Sequence, residues 1–326
     1  MIAFSKIPAV FLLSTILTTG LAQAGVVDLN IGGANVYTLG NFSSGGSQVG
    51  GTLLVAGNMN VSNSYVNIHG KNKDGDSAFS LAVGGDLNFN SGSVGNAQRN
   101  DMYYVGGNSR INNSASAFTS TKSTTPPLSF ADTSAHLKNV STSLSTVAST
   151  GSSKLASNGR DLNFTGSGSG KVQVFNVSGY DLRSASTVSF YNTHAYDTII
   201  VNVSGKSSGF SYNVDMGSSF IYNLLFNFYE ATDLAMPQSM NLSANLLAPS
   251  ATLWGGAGNI EGNVVVGNWN SNMTTTIGNN AFKPVDVPGL ISPVPEPESY
   301  AMWLAGLGLL GCVARRKAAK GKQAAA

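Results

Sequence analysis

Leu54-Val55-Ala56-Gly57-Asn58, Ala82-Val83-Gly84-Gly85-Asp86 and Tyr104-Val105-Gly106-Gly107-Asn108 are three copies of one short pattern: an apolar pair, a small residue, Gly, then Asn or Asp. Apolar residues resume at Val61, Phe89 and Ile111, each four positions after its second-last pattern residue, the glycine. A strand, a corner that needs Gly or Asn for positive φ, and another strand account for that order. The glycines are 85 − 57 = 28 and 107 − 85 = 22 residues apart. Such intervals suit successive coils of a solenoid, each burying its apolar face on the next. β-Hairpins in a sandwich would use the same turns, and the uneven spacing leaves that alternative open. The two differ in one observable: in a solenoid, adjacent corners stack about 4.8 Å apart, one strand spacing.

Outward from these copies the chain keeps a β character. Ser114 to Pro127 is rich in Ser, Thr and Ala, ends in Pro126-Pro127 and reads as a loop. Ser129 then stands three residues before Asp132, a capping-box-like start, and Leu137, Val140, Leu144 and Val147 form one stripe of an amphipathic helix over about 129–150, stopped at Gly151. That helix should lie against the sheet. Strand-like runs follow at Leu162–Phe164, Val172–Val177, Thr198–Val203, Phe220–Phe226, Asn245–Leu253 and Asn263–Val266. Several are near-continuous apolar stretches, as expected of strands buried on both faces. Pro284, Pro288, Pro293, Pro295 and Pro297 make a stiff linker, which sets the end of the folded body near Phe282. The expected fold is all-β, a β-solenoid with one packed helix.

The two ends have a different character. Lys6, the apolar Ala9 to Leu17 and the small-residue ending Ala22-Gln23-Ala24 follow the order of a secretory signal peptide, with the mature chain starting at about Gly25. The Sec machinery and signal peptidase are therefore the first expected partners. Six of the 18 basic residues lie in the terminal segments, so Gly25 to Pro293 carries 12 basic and 14 acidic residues, 12 − 14 = −2. No basic stripe remains in the body and no nucleic-acid partner is expected. The only cysteine, Cys312, lies in the C-terminal apolar segment, so the body has no disulfide and relies on its core or a repetitive ladder.

At the C-terminus Val294-Pro295-Glu296-Pro297 precedes an apolar segment, Tyr300 to Ala314, and then Arg315-Arg316-Lys317. Fifteen helical residues rise about 22 Å, short of a hydrocarbon core of about 30 Å, enough for transient retention in the inner membrane with the basic cluster inside. This order resembles the PEP-CTERM sorting signal of Gram-negative bacteria. The resemblance implies recognition and cleavage near the motif by exosortase, a membrane protease, and transfer to the cell surface or extracellular matrix. The nine residues after the basic cluster, Ala318 to Ala326, make a longer tail than the family's pattern. Domains are accordingly expected as signal peptide 1–24, β domain 25–282, linker with motif 283–299, and short membrane segment with basic tail 300–326.

The body has its own likeness. Gly32-Gly33-Ala34-Asn35-Val36-Tyr37, the Val-Ala-Gly-Asn and Val-Gly-Gly-Asp corners, Ile200-Val201-Asn202-Val203-Ser204-Gly205 and Asn245-Leu246-Leu247-Ala248-Pro249 resemble the choice-of-anchor A domain. That resemblance implies a surface or adhesive domain with no established chemistry.

Catalytic patterns fail in turn. His69, His136 and His194 have no neighbour at metal-ligand spacing. Gly205-Lys206-Ser207 lacks the earlier Gly of a phosphate loop, that place being Ile200. Gly166-Ser167-Gly168-Ser169-Gly170 puts Gly where a nucleophile elbow needs Ser. Asp74-Gly75-Asp76 offers two carboxylates for calcium without a visible fuller ligand set, and reads as a solvated loop. Tyr103, Tyr104, Tyr191, Tyr196, Trp254 and Trp269 would make a glycan-stacking platform only if they faced outward together, and core or cross-strand pairing is the simpler expectation. The sequence thus points to a non-enzymatic structural or adhesive surface protein without cofactor or metal, with exopolysaccharide or a matrix protein as candidate partner. The rivals are a polysaccharide-binding or polysaccharide-degrading solenoid with carboxylates in a groove, and an ice-binding protein, for which a regular Thr array would be needed. Thr274-Thr275-Thr276 is an isolated run.

Overall fold

The computed structural model describes residues 24–68, 78–95, 101–112, 121–211, 222–237, 240–271, 275–277 and 281–291, and the compact unit runs from Ala24 to Leu290. Its short strands stack in parallel as the three faces of a solenoid. The coils repeat one burial rule. In Phe42–Ser44, Met59–Val61 and Leu87–Phe89 the two outer residues are buried and the middle one points away from the core. The same holds for Ser47–Val49, Ser64–Val66 and Gly92–Val94 on the next face. Period-two alternation in three-residue strands puts Val36, Leu53, Met59, Val61, Val66, Leu81, Phe89 and Val94 into one continuous interior.

The coils do not stack in chain order. Val36–Thr38 pairs on one side with Leu53–Val55, the next coil, and on the other with Val264–Val266 from the far end of the chain. The first half builds outward from this seam through Phe79–Val83 and Met102–Val105 to Thr121–Ser123. Helix α1, Phe130–Ser145, then carries the chain back past the seam. The second half returns through Val172–Ser178, Thr198–Ser204, Asn223–Asn227 and Asn245–Gly255 until Val264–Ser271 docks on the first coil. Its starting end is closed by a three-stranded sheet, Ser152–Leu155, Asp161–Thr165 and Thr187–Tyr191, over an aromatic cluster in which Phe164 and Phe190 stack at 5.3 Å and Phe190 meets Tyr222 edge-on at 5.5 Å. The short helix α2, Gly179–Ser184, is capped by Ser178, whose hydroxyl accepts from the Asp181 N–H.

Helix α1 covers the outer side of the first face. Tyr37, Leu54, Ala82, Val174, Ile200, Leu225, Leu247 and Val265 form a second buried cluster with Leu137, Leu144 and Val147. This is why Thr198–Ser204 reads as a near-continuous apolar run: its residues from Thr198 to Val203 are all buried. One register row, Asn176, Asn202 and Asn227, is polar, and its last two members are buried beneath the helix. Asn227 Nδ2 donates to Asn202 Oδ1 at 2.9 Å and to the Ser141 carbonyl at 2.9 Å, while Asn202 Nδ2 donates to the Leu144 carbonyl at 2.8 Å. Side chains of the sheet thereby satisfy carbonyls in the last turns of α1. At the other end of α1 the Tyr37 hydroxyl donates to the Phe130 carbonyl at 3.0 Å and lies 3.0 Å from Ser134 Oγ. Burial pushes the Tyr37 hydroxyl above its usual pKa, partly offset by Ser134.

The helix starts as expected, with Ser129 Oγ accepting from the Asp132 N–H at 3.3 Å, but ends at Ser145 instead of running to about 150. Ser145 Oγ and Thr146 Oγ1 donate to the carbonyls of Thr142 and Ser143 at 2.7 Å each, and Thr146 closes the last turn. Hydroxyls that bond backward in this way compete with helix continuation. Strand pairing also continues past Phe282: Val285–Ile291 pairs with Ala24–Val27. Pro288 is compatible with that place because a proline without an N–H is tolerated on an edge strand. The all-β solenoid with one packed helix is the observed fold class.

Candidate interaction face

The repeated glycine corners form a hydrogen-bonded ladder. Gly57 N–H donates to the Gly40 carbonyl, Gly85 N–H to Gly57 and Gly107 N–H to Gly85, each at 2.9 Å. Beside them runs a ladder of side chains in which Asn268, Asn41, Asn58 and Asp86 each use Oδ1 to accept the backbone N–H of the next member: Asn41 at 2.8 Å, Asn58 at 2.8 Å, Asp86 at 2.8 Å and Asn108 at 2.7 Å. A Cβ on Gly85 or Gly107 would run into the Oδ1 of the ladder residue one coil away, Asn58 or Asp86. Gly and Asn/Asp are therefore required together: the first leaves room, the second fills it with an acceptor.

Next to this corner lies the second face, whose outer side is not covered by α1. Register places Trp254, Asn270, Ser43, Asn60, Asn88 and Arg110 in one row across it. Five intervals at one strand spacing make this row about 24 Å long. Trp254 is 45% exposed and continues toward the small residues Ala235 and Gly209. Asn88 Nδ2 donates to Asn60 Oδ1 at 2.9 Å, so neighbouring amides orient one another. A shallow depression of about 320 Å³ lies between this row and the corner ladder, lined in part by Asn58, Asn60, Asp86, Asn88, Asn108 and Arg110. Side-chain amides, a hydroxyl, one indole and one guanidinium make a flat, nearly neutral hydrogen-bonding surface.

The aromatic residues singled out from sequence do not come together. Trp269 is buried and stacks on Phe42 at 5.3 Å. Tyr103 packs on the solenoid interior and Tyr104 on the helix-side cluster, on opposite sides of one strand. Tyr191 and Tyr196 are exposed near the closed end of the second half. Trp254 alone stands in the row of the second face. Sequence reasoning missed Asn60 and Asn88; the signal was their position three after a corner glycine, in the middle of an apolar–polar–apolar triplet, which only the register turns into a row.

Other motifs are structural. Gly205 N–H donates to Glu230 Oε2 at 2.7 Å, a carboxylate where a phosphate loop would need an open donor. His136 Nε2 lies 2.7 Å from the Asp28 carbonyl, tying α1 to the entry loop, and His194 is held in a turn by Asp197, which accepts its N–H at 2.8 Å. Among the described residues no group of three or more His, Cys, Asp or Glu could hold a metal ion. A second depression, about 590 Å³, lies over the loop from Asp28 to Ala34. There Asn263 is already engaged with the Ala34 carbonyl and the Phe282 N–H, each at 2.7 Å. His69, Asp74-Gly75-Asp76, Thr274, Ala22, the sorting residues Val294, Pro295, Glu296, Pro297, Arg315, Arg316 and Lys317, and Cys312 lie outside the described residues. Among those described, no helix is long and apolar enough to cross a membrane.

Fold and face together define a helix-backed parallel β-solenoid that displays a flat polar surface rather than a deep pocket. The family described as "Putative Ice-binding-like adhesive domain" matches residues 30–277, and the chain belongs to it. The PEP-CTERM protein-sorting motif matches residues 293–318, which makes the chain an exported protein sorted to the cell surface through exosortase. No curated protein and no solved structure matches the chain.

Proposed function

We propose that the mature chain is a non-catalytic adhesive component of the cell surface or extracellular matrix, of the choice-of-anchor A type. The observation that carries this reading is the second face: a flat row of outward amides held in strand register, beside a first face sealed by α1. A rigid plane that costs little conformational entropy to dock favours adhesion to an extended partner. The family match and the sorting motif support the address. An ice-binding role has less support, since the described middle row carries Trp, Asn and Ser where a Thr array would be expected.

In this reading Ala22 and Ala24 direct signal peptidase to cut before Gly25. Pro295-Glu296-Pro297 presents Glu296 to exosortase in a stiff extended segment, because two prolines fix φ and remove donors. The apolar segment after it gives transient retention in the inner membrane, and Arg315-Arg316-Lys317 stops translocation. Changing Pro295-Glu296-Pro297 to Ala-Ala-Ala should leave export intact and strand a full-length form, read by intact-mass measurement and by loss of cell attachment to a matrix-coated surface. Unchanged attachment on deleting the whole chain would overturn the adhesive reading. A surface form still ending at Ala326 would overturn the sorting mechanism.

A further inference from the structure

Of the three faces, the first is sealed by α1, and the third carries Gln48, Tyr65 and Ser93 outward. The second combines two chemistries in one line. At one end Trp254 presents an exposed indole beside Ala235 and Gly209, which are too small to screen it. From there Asn270, Ser43, Asn60 and Asn88 continue the line with amides and a hydroxyl. Among the described residues the side-chain bond within that run is Asn88 Nδ2 to Asn60 Oδ1, so Asn60 keeps its donors and Asn88 its acceptor for a ligand.

We infer that this row is a binding track for a single chain of a linear, neutral polysaccharide, lying along the stack of coils with one sugar ring against Trp254 and the hydroxyls of rings further along the chain on the Asn60 and Asn88 amides. The orientation follows from the repeat. Along a strand the face offers only the corner position and one middle position, whereas across the strands equivalent groups recur at about 4.8 Å over some 24 Å. Neutrality follows from charge: within the row Arg110 is the one ionised side chain, at its end, and Asp86 and Asp233 flank it on the corner side. A polyanion would meet those carboxylates, and a polycation would meet Arg110 without an array of acids to repay its desolvation. An amide offers donor and acceptor together, as neighbouring sugar hydroxyls require. An exposed indole supplies the apolar area that a sugar's C–H face can cover.

This rests on the adhesive reading and narrows it. The test uses the processed protein recovered from the cell surface, with hydroxyethyl cellulose as the linear neutral probe and alginate as the linear acidic one, read by affinity electrophoresis. Retardation by hydroxyethyl cellulose should fall at least tenfold in Trp254→Ala and severalfold in Asn60→Ala/Asn88→Ala, and stay unchanged in Tyr65→Ala on the third face. Because all three sites point outward, thermal melting of each variant should match the parent, which separates lost binding from lost fold. Equal retardation of parent and Trp254→Ala, an equal loss in Tyr65→Ala, or binding only to alginate would overturn the track. If the parent ignores both polymers while cells still need the protein to attach to a protein-coated surface, the track fails and the adhesive reading stands.

Discussion

The first and second faces of the solenoid are built from short parallel strands of the same coils, both sending buried side chains into one interior, and they differ in the residue between those inward ones. On the first face that position is Tyr37, Leu54 and Ala82, all buried under α1. On the second it is Ser43, Asn60 and Asn88, which point to solvent. One residue in three therefore decides whether a solenoid face becomes a layer of core or a surface for recognition. The inward positions supply the fold in both cases, so the second face is free to carry function at little cost in stability.

That contrast predicts a graded series. Leu225 is fully buried between sheet and helix. Leu225→Ala should cost about 2–5 kcal/mol, and Leu225→Asp, which buries a carboxylate in apolar surroundings, should remove the folded unit altogether, seen as loss of the β-sheet circular dichroism and of protease resistance. Asn227→Ala should come next. It leaves the Ser141 hydroxyl and Asn202 Oδ1 without their partner beneath the helix, worth roughly 1–3 kcal/mol by urea midpoint.

Tyr37→Phe should cost about 1 kcal/mol for its hydrogen bond to the Phe130 carbonyl. It should also change the alkaline limb. With the folded-state pKa of Tyr37 raised, the unfolded chain ionises first, so this contribution is whole below about pH 10 and is lost as pH rises through the folded value. The phenylalanine variant should lose that component of the pH-dependent melting. Smallest of all, Asn60→Ala on the second face should stay within about 0.5 kcal/mol of the parent in thermal unfolding. A large loss there would mean the row is structural, and the contrast between the faces would fail.

Much of this was legible in the residues. The Gly57, Gly85 and Gly107 copies encode the corner ladder because a close backbone approach and a side-chain acceptor each demand a specific residue type. Ser129 and Asp132 encode the start of α1 for the same local reason. The end of α1 was less legible, since Ser145 and Thr146 stop it through hydroxyl bonds that compete closely with helix continuation. Trp254 and Trp269 were indistinguishable in sequence. Both lie in strands, and only the register puts Trp269 on Phe42 inside and Trp254 on the outer row.

By itself, then, the sequence determined the local devices and the ends: glycine corners, a capped helix, apolar–polar–apolar triplets, and the sorting tail with its ordered parts. Each is settled by neighbours a few residues apart. The seam was decided only by the tertiary structure. Val36 pairs with Val264, 264 − 36 = 228 residues away, and parallel pairing between coils depends on matching apolar triplets that occur throughout the chain. Any two coils could satisfy such a pattern. Helix α1, whose sixteen residues span about 24 Å, carries the chain back along the first face, and the second half then returns to pair beside the first coil.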